Sequence, residues 1–313
     1  MPQSVSKILI VLLVFVASLM PGMAAETAAT VETRSIERLE RYVYGEVQAG
    51  DAATRLGKLE TDLLGRRMGR SAAHRAANLV SLVFKGSEGT PSLDMKLNFL
   101  EWKVFQETRG GKLAERIKAL DTSIAGRTSS EPLAFRVEQL MQMTLDSGII
   151  SLHPVKIPAG TVFRVKLTAP ISSATVKEGD PVSLALAGDL VIDRSVLVVS
   201  RGAPVVGEVE KVRRGGRFGR SGFIKLLVND IPGIDSTGIP VKITGFARSE
   251  LDRKKLGMAA GASVLGYLAM GPVGLVGGAF VKGQDAVLPA GTELEIETVS
   301  TTQVTGIVVT NSN

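Results

Sequence analysis

The ten residues Arg213–Gly222, RRGGRFGRSG, carry the side chains best suited to chemistry, and that chemistry is the binding of an anion. A guanidinium group is planar and always charged, so it binds phosphate or carboxylate through two parallel hydrogen bonds. Glycines let the backbone turn so that the arginines converge. Two interpretations remain open: a loop that binds lipid phosphate, an anionic cell-wall polymer or an acidic partner, and a solvated hairpin loop. The candidate anion-binding residues are Arg213, Arg214, Arg217 and Arg220.

Residue types that commonly act in catalysis are scarce in the rest of the chain. There is no cysteine, which excludes disulfides, thiolate metal sites, thiol nucleophiles and lipid attachment through cysteine. The two histidines, His74 and His153, have no metal-ligand spacing and no nucleophile beside them. We therefore predict no enzyme, no metal and no cofactor. A hydrolase is retained as a third class, because carboxylates are plentiful and catalytic carboxylates can be far apart in sequence.

The overall charge favours anionic surfaces without indicating nucleic acid. The net charge is +6, which is mildly basic for 313 residues. No aromatic signature of RNA binding accompanies it. The glycines of the arginine-rich stretch also lack the strand–GxxxxGK[ST]–helix pattern of a nucleotide-binding loop. We expect no nucleic-acid partner.

A β domain over residues 155–310 must position the arginine-rich loop. The stretch Ile157–Thr168, IPAGTVFRVKLT, returns as Leu288–Val299, LPAGTELEIETV, and a fainter copy occupies Ser200–Val212. Each copy predicts a tight turn with glycine followed by a strand whose side chains alternate in and out. The outward charges are positive in the first copy and negative in the second, which is favourable if the two strands are neighbours. Together with further short strands, this predicts a small β-sandwich or partly closed β-barrel.

A glycine-rich apolar segment, 256–282, interrupts this β domain. Its length would cross a bilayer once, but Gly271-Pro272 breaks a helix near the middle, which favours a helical hairpin. Glycines four residues apart let helix backbones approach closely. Three interpretations remain open: packing against its own domain or another copy, insertion into a membrane, and oligomerisation combined with insertion. The candidate residues for membrane or self-association are Gly257, Gly261, Gly266, Gly271, Pro272, Gly274 and Gly278.

Residues 34–148 repeat a helical unit of about twenty residues, as in RLERYVYGEV and RLGKLETDLLG. Apolar residues three or four apart give each unit one buried face, and a glycine ends most of the helices. An acid follows the central leucine in four units, and the spacing predicts pairing with basic residues along the same helix. Such short helices must pack on each other or on something else, and the array serves either as a spacer or as a surface that docks a partner or a cell-wall polymer.

These stretches resemble segments of bacterial envelope proteins. The RLxxLExxhhG repeats resemble short repeats of envelope proteins, and 256–282 resembles their glycine-zipper segments. The IPAGT turns with a VVxRGxxVxGxV step resemble small β domains of secretion and envelope scaffolds, and are similar to the outer-membrane channel scaffold of conjugation systems. The resemblance implies a compartment and a non-catalytic role, and carries over no functional residues.

The first residues predict export. Lys7 precedes the apolar run Ile8–Leu19, and small residues follow, which is the layout of a signal peptide over 1–25. The sequence as a whole predicts an α+β protein located in the periplasm or cell envelope, where it serves as a non-catalytic scaffold or tether. The expected partners are membrane, another copy of the chain, an envelope protein or an anionic envelope component. The alternative is a soluble periplasmic module that binds cell-wall glycan.

Overall fold

The computed structural model describes residues 20–87, 89–216, 220–246 and 284–309. It confirms the predicted α+β class, because helices come first and a curled antiparallel sheet follows them. The chain forms two compact units. The helical unit comprises residues up to Leu93 and Gly111–Asp146, and the strand unit comprises Asp94–Gly110 and residues from Ser147 onwards. The apolar run Ile8–Leu19 and the whole of segment 256–282, with its candidate glycines, lie outside the described residues.

Six helices occupy the described part of the repeat region, and a π-helical turn extends two of them. The turns Ser81–Lys85 and Asp121–Ala125 continue the third and fifth helices. Glycines with positive φ follow four of the helices, as the sequence predicts, at Gly45, Gly65, Gly86 and Gly126. Gln106 adopts the same left-handed conformation after the fourth helix. The helices are α1 Met20–Tyr44, α2 Ala52–Leu64, α3 Ala72–Val80, α4 Leu93–Phe105, α5 Leu113–Leu120 and α6 Leu133–Thr144.

The helical unit is held together by the apolar stripe of each repeat. Leucines at the centre of the stripes, such as Leu39, Leu59 and Leu79, are fully buried. Helix α1 contacts α2, α3 and α5, and α2 contacts α6. Helices that are distant in sequence therefore share one core, so this unit is compact rather than a row in which each helix touches only its neighbours.

The acid of one repeat pairs with the arginine of the next. Arg75 donates to both carboxylate oxygens of Glu60 at 2.7 and 2.5 Å, and the side chain of Glu60 is fully buried. The same pairing, fifteen residues apart, joins Arg55 to Glu40 and Arg136 to Asp121. The prediction of pairing along one helix is wrong, because the acid points inward to the adjacent repeat and not along its own helix surface.

Helix α4 keeps the repeat pattern but belongs to the strand unit. Its Trp102 indole N–H donates to Asp189 Oδ2 at 3.1 Å. Just after the helix, the Thr108 and Ser200 hydroxyls share a buried hydrogen bond of 2.6 Å. Unlike the other helices, α4 is buried on more than one side, since Met95 and Phe99 are buried as well as Leu97 and Leu100.

Thirteen strands lie in the described residues after Asp146, and they form three antiparallel sheets. A seven-stranded sheet has the order β8-β7-β4-β2-β12-β10-β9, a four-stranded sheet has the order β1-β13-β6-β5, and β11 pairs with β3. One hydrophobic core takes side chains from the two larger sheets. The strands are β1 Leu152–Ile157, β2 Val162–Leu167, β3 Ile171–Ser172, β4 Pro181–Leu186, β5 Leu190–Ile192, β6 Val196–Val199, β7 Pro204–Arg213, β8 Phe223–Leu227, β9 Asp230–Pro232, β10 Gly238–Phe246, β11 Val287–Leu288, β12 Glu293–Thr298 and β13 Thr302–Val308.

The sheet is built from paired copies of the turn-and-strand unit. Strands β2 and β12 run antiparallel, and the turn glycine of each donates to the end of the other: Gly160 N–H to Thr298 O at 3.0 Å, and Gly291 N–H to Leu167 O at 2.7 Å. Strands β4 and β7 are joined in the same way, through Gly179, with φ +84°, and Gly202, with φ +78°. The sequence predicts three of these copies, and the copy that opens with Gly179 is a fourth.

The charges on the outer face of β2 and β12 are complementary, as predicted. Arg164 lies opposite Glu295 and forms a salt bridge of 3.9 Å with Glu293, and both side chains of this pair are about half exposed. On the inner face, Val165 and Ile296 are fully buried. Contacts of β8 with β10 and of β7 with β9 curl the seven-stranded sheet into a half-barrel. The loop between β7 and β8 connects two adjacent strands of this half-barrel.

Candidate anion-binding loop

The described arginines of the predicted anion-binding loop are all exposed. Arg213 is the last residue of β7, and Arg214 and Arg220 lie in the loop that leads to β8. Arg217 lies outside the described residues. The Arg213 guanidinium donates to Ser221 O at 3.2 Å, and its central carbon lies 6.0 Å from the centre of the Phe223 ring. Arg213 is thus oriented by contacts within the loop base.

Both ends of the loop are fastened to the chain that returns after segment 256–282. At one end, Gly215 N–H donates to Asp285 Oδ1 at 2.7 Å. At the other, Gly222 N–H donates to Gln284 O at 2.8 Å. The Ser173 hydroxyl donates to the same Asp285 oxygen at 3.0 Å. We call Ser173, Gly215, Gly222, Gln284 and Asp285 the clasp.

Gly222 is the tightest point of the clasp. A Cβ atom at this position would lie 2.5 Å from Ala286 N and 2.5 Å from Ser173 Oγ. The backbone nitrogen cannot move aside without breaking the hydrogen bond that Ala286 N–H donates to Ser173 Oγ, which is 2.9 Å long. A side chain at position 222 would therefore separate the loop from the returning chain.

The clasp determines which groups of the loop can meet an anion. The Asp285 carboxylate lies at the base of the loop and accepts a hydrogen bond from Gly215 N–H. Gly216 N–H donates to Arg220 O at 2.8 Å, so that amide is also engaged inside the loop. An incoming phosphate or carboxylate would therefore be bound by guanidinium groups, which are exposed, and not by these backbone amides.

The histidines and the buried carboxylates of the repeats lie outside this loop. Exposed His74 is 3.2 Å from Arg70 through its Nε2 atom, and exposed His153 lies on strand β1. The buried carboxylates Glu40, Glu60 and Asp121 are each paired with an arginine. Among the described residues, no three His, Asp or Glu side chains are grouped as metal ligands.

Three aromatic side chains of the helical unit contact neighbouring side chains. The rings of Tyr42 and Phe84 meet edge to face at 5.0 Å, and the Arg38 guanidinium lies 4.1 Å above Phe84. Tyr44 donates to Asp62 at 2.7 Å. Burial, followed by this hydrogen bond, raises the pKa of Tyr44 well above its ordinary value. These rings do not form a free row on which a sugar could stack.

Sequence patterns point to the arginines but give no signal for the clasp. Ser173 and Asp285 are 112 residues apart, and neither belongs to a recognisable motif. Their meeting depends on β3 pairing with β11, which brings Ile171 opposite Leu288. Two strands of two residues each are too short to be recognised by alternation.

No helix in the described part of the chain is both long and apolar enough to cross a membrane.

Comparisons with known proteins include a weak structural similarity to a solved structure. No protein-family model and no curated protein matches the sequence. Among solved structures, the chain is similar to ComB10 of the Com type IV secretion system of Helicobacter pylori, with 14% identity and a TM-score of 0.27. The similarity covers 47% of this chain and 88% of the ComB10 chain. A TM-score of this size does not establish a common fold or a common function.

Proposed function

We propose that the protein is a non-catalytic scaffold or tether of the bacterial cell envelope. In this role the arginine-rich loop binds an anionic envelope component, which is a lipid phosphate, a cell-wall polymer or an acidic partner. Segment 256–282 provides association with a membrane or with another copy, and the repeats contact a partner. The predicted signal peptide supports a role outside the cytoplasm.

The observation that supports the proposal best is that both ends of the arginine-rich loop are hydrogen-bonded to the chain that follows segment 256–282. Arg213, Arg214 and Arg220 are exposed, while both ends of their loop are fastened to Gln284 and Asp285. A fastened base limits the entropy that is lost when the arginines become ordered around a ligand. The clasp also links the loop to the chain that follows segment 256–282, so a ligand on the loop would hold that part of the domain.

The test compares the full chain with a variant in which Arg213, Arg214, Arg217 and Arg220 are replaced by Ser. Binding is measured by sedimentation with anionic vesicles and with purified cell wall. We expect weaker binding by the variant and a loss of the wild-type binding at high salt, because exposed ion pairs are screened. A matched control replaces Arg164, Arg194, Arg201 and Lys225, which are exposed elsewhere in the strand unit, by Ser. Equal binding by the loop variant and the wild type would contradict the role of the loop.

A further inference from the structure

One loop of the helical unit carries a concentrated positive charge. The loop between α2 and α3, residues 65–71, has the sequence GRRMGRS, and no Asp or Glu occurs between Asp62 and Glu88. The equivalent loops at 45–51, 86–92 and 126–132 read GEVQAGD, GSEGTPS and GRTSSEP, so none of them is basic. The repeat architecture needs a turn at this place but not three arginines. We call Arg66, Arg67 and Arg70 the basic loop.

The Arg67 side chain lies close to a glycine of the preceding helix, Gly57. The position that a Cβ would take at Gly57 lies only 2.9 Å from Arg67 Nε and 3.0 Å from its Cζ. Gly57 lies inside α2, where glycine is less favourable than alanine. The corresponding residue of the next repeat is Ala77. The helix thus contains a residue that is less favourable than alanine. The Arg67 guanidinium lies next to the position that a Cβ atom of residue 57 would occupy.

The Arg70 side chain lies close to His74, which is four residues further along the chain. Arg70 Nη1 lies 3.2 Å from His74 Nε2, and both side chains are exposed. In the part of the chain that the structure describes, neither Arg66 nor Arg67 nor Arg70 forms a salt bridge with a carboxylate. By contrast, Arg55, Arg75 and Arg136 of the repeats each form a salt bridge with a buried acid. The basic loop is therefore available for an external anion.

We propose that the basic loop docks the helical unit onto an anionic lipid surface. Exposed arginines bind a single phosphate weakly, because water and salt screen each contact. A bilayer rich in anionic headgroups presents many phosphates at once, and each arginine close to it contributes about a fivefold gain in binding. Three arginines acting together give a gain on the order of a hundredfold. This site lies in the other unit from the loop at 213–222 and does not depend on it.

The test measures partitioning of the full chain onto phosphatidylcholine vesicles with and without phosphatidylglycerol. Replacing all three arginines of the basic loop by Gln keeps their aliphatic stems and removes their charges. We expect binding to the phosphatidylglycerol vesicles to fall on the order of a hundredfold, with no change on pure phosphatidylcholine. The matched control replaces Arg34, Arg41 and Arg127, which are exposed on the same unit, by Gln, and should change binding only a few-fold.

Four outcomes would overturn the proposal. Equal losses in the two triple variants would mean that only the total charge matters, and no loss in the first would remove the basic loop from binding. Competition by dilute inorganic phosphate would indicate a discrete phosphate site, and stronger competition by polyglutamate than by lipid would indicate an acidic protein partner.

The Gly57→Ala variant keeps every charge and displaces only the Arg67 guanidinium, so it should lower binding a few-fold while the helical signal is retained. A triple Arg→Ser variant at 213, 214 and 220, measured beside these, tests the other loop separately.

Discussion

Replacing Arg75 by Met should destabilise the helical unit strongly, because it leaves a buried carboxylate without its partner. Glu60 has no exposed side-chain surface, and Arg75 donates to both of its oxygens. The hydrogen bond to Glu60 also raises the pKa of Arg75. Removing one partner of a buried ion pair costs about 3–5 kcal/mol of unfolding free energy.

Adding Glu60→Val to Arg75→Met should restore most of that loss. The third repeat already has an apolar residue after its central leucine, Val80, and fifteen residues later it has Met95 in place of arginine. Met95 is buried in the structure. The double variant places the same apolar residue types at positions 60 and 75, and apolar replacement of a whole buried ion pair is often neutral. We expect a net change of about 1 kcal/mol or less.

Urea unfolding followed by far-UV circular dichroism measures these changes. Lys58→Met is the matched control on the same helix, because the Lys58–Asp62 salt bridge is exposed and worth about 0.5 kcal/mol or less. A cost below about 1 kcal/mol for Arg75→Met would refute the reasoning. So would a double variant that is no more stable than the single one, because the loss would then not come from the unpaired charge.

Three further predictions concern single positions. Gly222→Ala should open the clasp and increase proteolysis of the adjacent loop, whereas Gly188→Ala, with no neighbouring atom within 4 Å, should not. Trp102 is the single tryptophan of the chain, so its fluorescence should report the docking of α4, and Asp189→Ala should alter its emission while the helical content is unchanged. Gly57→Ala should raise the unfolding free energy by up to about 1 kcal/mol, because the exposed Arg67 side chain can move away from the new methyl group. A lower unfolding free energy would contradict this reasoning.

Patterns that repeat over a few residues were the predictable part of the fold. The alternation in Phe163, Val165 and Leu167 predicts their burial, because successive strand residues face opposite sides. The glycines at 45, 65, 86 and 126 predict helix ends, since each adopts positive φ. Complementary charges on β2 and β12 favour neighbouring strands, because side chains directly opposite each other on paired strands interact.

Contacts between distant segments could not be predicted from the same patterns. The partner of Glu60 is fifteen residues away, and the pairing becomes visible only when the helices are packed. Helix α4 has the repeat spacing of its neighbours, yet its side chains Asp94 and Trp102 bond to Ser236 and Asp189 of the strand unit. In the candidate loop, the arginines could be named from composition, but Asp285 could not, because the sequence separates it from the loop by about seventy residues.

The most direct test of the proposed envelope role is the location of the protein in fractionated cells. We predict that the exported protein sediments with the envelope fraction, that high salt releases part of it, and that the arginine-to-serine variant at 213, 214, 217 and 220 is released at lower salt. Recovery of all the protein as a monomer in the soluble periplasmic fraction would contradict the account.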